Sequence, residues 1–109
     1  MLLMEISNIG YTFFQKNFYK KTFKKYRHNK NINQNLTNIL AILKNGKFPP
    51  IEPPYSDHAL RGKHKLKSPE IGKREVKVDG PGFGLVYSVN KDTKVITLWG
   101  IGTHNELDI

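Results

Sequence analysis

Four prolines fall within six residues, at Pro49, Pro50, Pro53 and Pro54. No helix interior or central strand survives that density, because each proline removes a backbone donor and fixes φ. The chain is therefore divided into two parts that must form their regular structure separately. Their hydrophobic periods differ. Before the prolines, Phe18, Tyr19, Thr22, Phe23 and Tyr26 recur along one face of a helix, with lysines on the other. His28-Asn29-Lys30-Asn31 reads as a turn, and Ile32, Leu36, Ile39, Leu40 and Leu43 mark a second helix, with Asn31 as N-cap and Gly46 as its stop. The two helices form a hairpin. Ahead of them, the aromatic run from Gly10 to Gln15 reads as a strand.

After the prolines the period becomes two. Arg74, Val76 and Val78 alternate with Glu75, Lys77 and Asp79. Gly80-Pro81-Gly82 supplies a turn, Phe83–Val89 a second strand, Asn90-Lys91-Asp92 another turn, and Thr93–Ile101 a third strand. Short turns make these neighbours antiparallel. The expectation is an α+β domain: an N-terminal strand, a helical hairpin, then a three-strand antiparallel meander with both helices on one face. The other face is then open. The segment up to about Gly72 is expected to be an irregular loop of the kind that often carries function.

At 109 residues the chain suits one hydrophobic core. Without cysteine, disulfides, thiolate metal sites and cysteine nucleophiles are excluded. The longest apolar run, Ile39–Leu43, is too short for a membrane span, and Met1-Leu2-Leu3-Met4 lacks the basic flank of a signal peptide. The expected setting is soluble and cytoplasmic, with no membrane contact.

Eighteen Lys and Arg against nine Asp and Glu give a net charge of +9. No acid lies between Glu5 and Glu52, a stretch holding nine cations. A second block, Arg61, Lys63, Lys65, Lys67, Lys73, Arg74 and Lys77, is opposed only by Glu70 and Glu75. Two basic blocks suit a polyanionic partner; a lysine-covered helix face is also an ordinary solvated surface.

The glycines around Pro81 join strands rather than open a helix, so they are turn residues and not a phosphate loop. No histidine pair has helical ligand spacing, so no metal and no cofactor is expected. Two histidines lie where an open sheet face can be reached: His58 after the proline loop, and His104 directly after the last strand. With Arg74 and Lys77, that face would hold two imidazoles and two cations. Cleavage of RNA by its own 2′-hydroxyl needs such a set: a base, an acid, and cations for the charged transition state. Imidazole suits both proton roles near neutral pH.

Lys47-Phe48-Pro49-Pro50, Tyr55-Ser56-Asp57-His58-Ala59-Leu60-Arg61-Gly62 and the closing Gly102-Thr103-His104-Asn105-Glu106-Leu107 together resemble the RelE superfamily of toxins, in its YafQ-like branch. The resemblance spans roughly residues 10 to 108 and implies a single RelE-like toxin domain over 1–109, with 1–9 as an added N-terminal segment. It further implies one half of a toxin–antitoxin pair: a metal-independent endoribonuclease that cleaves mRNA in the ribosomal A site and is silenced by an acidic antitoxin. By position, His58 and His104 match the branch's histidines, Lys77 a further catalytic position, and Arg74 an arginine opening the same strand. Arg61, Lys63, His64, Lys65, Lys67 and Lys73 would engage RNA, including ribosomal RNA, and His64 is a further candidate for proton transfer. The chain departs from the branch in a longer segment between Gly62 and Arg74, in Pro81-Gly82 where an aspartate is usual, and in Asp108 where an aromatic is usual. Two other readings remain: a ParE-like gyrase inhibitor on the same fold, and a basic nucleic-acid-binding module without catalysis.

Overall fold

The computed structural model describes residues 10–46, the backbone of 58–59, and 72–109. The aromatic run forms β1 (Thr12–Gln15), and the period change at Lys16 starts α1 (Asn17–Tyr26). α1 buries Tyr19 and Thr22 and leaves Lys20, Lys21, Lys24 and Lys25 exposed. α2 (Lys30–Lys44) buries Ile32, Leu36, Ile39 and Leu43, the stripe expected from their spacing. Its N-cap is Asn29 rather than Asn31: the Asn29 side chain accepts from the Ile32 N–H at 3.0 Å, satisfying one orphan donor of the first turn. Just past the C-terminus of α2, Gly46 takes φ +81, a conformation that favours glycine.

A two-residue strand, β2 (His58–Ala59), lies within the segment expected to be irregular; the rest of that segment lies outside the described residues. β3 (Arg74–Lys77), β4 (Phe83–Asn90) and β5 (Val95–Thr103) form the meander. The sheet order is β1-β5-β4-β3-β2, with β1 parallel to β5 and the other pairs antiparallel. Ile32, Leu36, Ile39 and Leu43 of α2 and Tyr19 of α1 pack with Val76, Val78, Leu85, Tyr87, Ile96, Leu98 and Ile101 into the main core. Asn35 of α2 donates to the Val78 carbonyl at 2.7 Å, tying that helix to the chain leaving β3.

β1 covers β5 only as far as Leu98. Beyond it α1 packs along β5, and the Thr22 hydroxyl accepts the Ile101 N–H at 3.2 Å. A buried donor that would otherwise be orphaned is thus satisfied by a helix side chain.

Val86 pairs with Gly100 while Tyr87 pairs with Leu98, so Trp99 is an extra residue on β5. This bulge shifts the alternation by one. Ile96, Leu98 and Ile101 therefore all reach the main core, and Gly100 and Gly102 fall on the opposite face.

That face is not fully open. The chain turns after β5 into a short helix, α3 (His104–Leu107), which lies over it. Leu107 is completely buried beside Val86, with Phe18, Trp99 and Ile109 packed around them. A side chain at Gly100 would collide with Leu107 and Phe18. Burial of a leucine contributes about 2 kcal/mol, enough to pin a one-turn helix that would not form alone.

Candidate functional site

The site is built where α3 begins. Thr103 is its N-cap, and a complete capping box links Thr103 and Glu106: the Glu106 N–H donates to Thr103 Oγ1 at 3.1 Å, and the Thr103 N–H donates to Glu106 Oε1 at 2.9 Å. His104, the first residue of α3, donates its backbone N–H to the Gly82 carbonyl at 2.8 Å. The turn expected only to join two strands thus also fixes the backbone of a candidate histidine.

The His104 Nε2 lies 2.6 Å from Oε2 of Glu75. Glu75 is 1% exposed, whereas the His104 side chain is 43% exposed. One partner is a buried carboxylate, which needs hydrogen bonds to offset its lost hydration; the other reaches solvent. With the carboxylate ionised, Nε2 is the donor, and Nδ1 is the nitrogen left for other chemistry. Glycine at position 84 makes this possible, since a Cβ there would collide with the Glu75 carboxyl group.

The β2–β3 ladder adds a second element. His58 stands directly across from Glu75, and Ala59 across from Arg74. Both histidine positions singled out in the sequence thus come to one acidic residue, His104 by side-chain contact and His58 by register.

Alternation divides the two cations expected on one face. Lys77 shares the face of Glu75, whereas Arg74 stands across from buried Tyr87 and shares the face of Val76, which belongs to the main core. Lys73 is 7% exposed, with its ammonium 4.3 Å from the Trp99 ring centroid. Lys16 approaches the same ring at 5.0 Å, and the Trp99 Nε1–H donates to Ser88 Oγ at 2.8 Å. Arg61, Lys63, His64, Lys65 and Lys67 lie outside the described residues. Asp108 caps α3 in the left-handed region at φ 58, a conformation that asparagine and aspartate adopt more readily than most residues.

Glu106 is the second carboxylate of the site. Besides the Thr103 N–H it accepts the Tyr26 hydroxyl at 2.5 Å and the Lys25 ammonium at 2.8 Å. Burial pushes its carboxyl up, but hydrogen bonds from Lys25, Tyr26 and Thr103 outweigh that and hold it at about 2. Tyr26 is pushed up to about 12, first by burial and then by its bond to Glu106.

Sequence reasoning missed both carboxylates. Glu75 entered as a charge opposing the second basic block and as a member of the strand's alternation, never as a site residue. Its signal was positional: an acid at a strand centre, in phase with Lys77. No three His, Asp or Glu side chains converge as a cation site among the described residues. Nor is any helix among them long and apolar enough to cross a membrane.

Comparison with solved structures defines the class first. The chain is similar to a metal-bound toxin from Helicobacter pylori, at 26% identity and a TM-score of 0.72, over 89% of this chain and 98% of that one. It is also similar to the E. coli DinJ–YafQ toxin–antitoxin complex, at 24% identity and a TM-score of 0.68, over 89% and 96% of the two chains. A conserved hypothetical protein of H. pylori matches at 31% identity and a TM-score of 0.51, over 89% and 98%. The fold is that of YafQ-like members of the RelE superfamily. No curated protein sequence matches. The family model for YafQ, bacterial toxin of a type II toxin–antitoxin system, matches residues 11–109. The chain belongs to that family.

Proposed function

We propose that the protein is the toxin of a toxin–antitoxin pair and acts as an endoribonuclease, cleaving mRNA in the ribosomal A site by attack of the 2′-hydroxyl. The observation that carries this reading is the His104–Glu75 pair, half in solvent and half buried, with His58 at the adjoining ladder position. In the reaction, His58 takes the 2′-proton as the O2′–P bond forms. The P–O5′ bond breaks, and His104 protonates the departing 5′-oxygen. The products are a 2′,3′-cyclic phosphate and a 5′-hydroxyl. Glu75 accepts the Nε2–H of His104 and fixes the ring's orientation, so that in the imidazolium form Nδ1–H delivers the proton, much as a buried carboxylate orients the histidine of a hydrolase triad. Lys77, on the same face, stabilises charge on the phosphate. Arg74, on the other face, is a weaker candidate for that role.

The cations of the second basic block and the exposed lysines of α1 supply contacts to mRNA and ribosomal RNA. A cognate acidic antitoxin suits a chain of charge +9, and the E. coli YafQ is found in a toxin–antitoxin complex. The place of action is the cytoplasm, where translation occurs.

Primer extension on a translated message tests the proposal. Wild type is expected to cut within codons, and His104→Ala to cut on the order of 100-fold or more slowly. Equal cleavage by the two removes His104 from the mechanism. Growth arrest with unaltered gyrase supercoiling would separate this activity from gyrase inhibition.

A further inference from the structure

α3 has four residues, fewer than a free helix needs to persist in water. Its first residue nevertheless carries the imidazole on which the proposed cleavage depends. Something must therefore hold that one turn at a fixed height above the sheet. Leu107 anchors its far end. At the near end the His104 N–H is held by the Gly82 carbonyl, and the side-chain contacts converge on Glu106. Glu106 Oε1 receives the Thr103 N–H and the Tyr26 hydroxyl, and Oε2 receives the Lys25 ammonium. These donors come from two elements, the end of β5 and the last turn of α1. A Cβ at Gly102 would collide with the Glu106 carboxyl, so glycine there, at φ +156, leaves it room. α1 is itself tied to β5 through Thr22 and Ile101. The result is a clasp joining α1, the end of β5 and the turn bearing His104.

We propose that Glu106 is the positioning residue of His104: by clasping α3 to Tyr26 and Lys25 of α1, it sets the imidazole at the height and angle that meets Glu75. Glu106 touches neither His104 nor, in this reading, the RNA. Its effect is exerted through the backbone of residues 103 and 104. The inference rests on the nuclease reading for its catalytic consequence, but its structural half stands apart from that reading. In the conservative variant Glu106→Gln, the amide oxygen still accepts from Thr103 and Tyr26, while an NH2 replaces Oε2, so the charge and the hydrogen bond facing Lys25 are both lost. Glu106→Ala removes every bond of the clasp. Tyr26→Phe removes one hydroxyl and leaves the capping box intact.

The test joins cleavage kinetics on a translated message to nitrogen-15 spectra of the His104 ring in the full chain. The neutral ring of wild type is expected to be a single Nε2–H tautomer. Glu106→Ala is expected to give mixed tautomers and a kcat lower by about tenfold or more with little change in KM, as a misplaced catalytic group would. Glu106→Gln is expected to stay within about threefold of wild type, with Tyr26→Phe between the two. A backbone amide spectrum establishes that each variant is folded; should Glu106→Ala fail to fold, Tyr26→Phe carries the comparison. The inference is overturned if the folded variants keep wild-type kcat and a single tautomer, or if Glu106→Gln falls as far as Glu106→Ala. Should wild type itself cleave no RNA, the nuclease reading fails, and the imidazole spectra alone decide whether the clasp orients His104.

Discussion

At the scale of single residues, the site depends on two carboxylates, Glu75 and Glu106, and on two glycines, Gly84 and Gly102, that make room for them. Glu75 is buried to 1% exposure in the middle of a strand, where a carboxylate is unfavourable unless its oxygens are bonded. His104 supplies one such bond, at 2.6 Å, and Gly84 supplies the space. Gly84→Ala should therefore force Glu75 away from His104. It is expected to destabilise the fold by about 1–3 kcal/mol, the usual cost of overpacking, and to abolish cleavage. Adding Glu75→Ala to it should restore much of the stability and none of the activity; urea unfolding of the single and double variants measures this. The sequence showed these residues plainly, but not their pairing. Glu75 and His104 are 29 positions apart, and nothing local to either predicts the other.

At the scale of elements, most of the reading made from the sequence is found in the structure: the first strand, both helices and the three strands of the meander. What differs lies at their ends, where local pattern is weakest. α2 is capped by Asn29 because the chain leaves its turn two residues earlier than the apolar stripe alone suggests. α3 and the Trp99 bulge were not foreseen, since one turn of helix and one extra strand residue are too short to produce a period. The packing of α1 along β5 is likewise invisible in either element. It requires Thr22 to accept the Ile101 N–H. Thr22→Val keeps the shape and removes that acceptor. It is expected to cost about 1–3 kcal/mol, the penalty for a buried orphan donor, and to speed hydrogen exchange at Ile101; a loss under half of that would mean another group accepts the proton.

At the scale of the whole molecule, stability should fall on both sides of neutrality. Glu106 is held at about 2, below the ordinary carboxylate value, so the stabilisation from its clasp is complete above about pH 4.5 and disappears as the pH falls through about 2. Tyr26 is raised to about 12, so its contribution is complete below about pH 10 and is lost as the pH rises through about 12. Glu106→Gln should thus be less stable than wild type by about 1–2 kcal/mol at pH 7, with the difference vanishing near pH 2; a difference independent of pH would mean the clasp does not depend on its charge. Acid also adds to the net charge of +9, a repulsion shared by wild type and variant that therefore cancels in the comparison.

Hydrophobic period, prolines and turn residues determined by themselves the first strand, the two long helices and the three strands of the meander, because those signals act over a few neighbouring residues. The histidines and lysines likewise suggested the proposed chemistry before any geometry was known. Only the tertiary structure decided that β1 pairs in parallel with β5, that a bulge at Trp99 turns two glycines toward α3, and that Glu75 meets His104. Each of these joins parts of the chain that are distant in sequence, and their contacts exist only once the intervening polypeptide has packed.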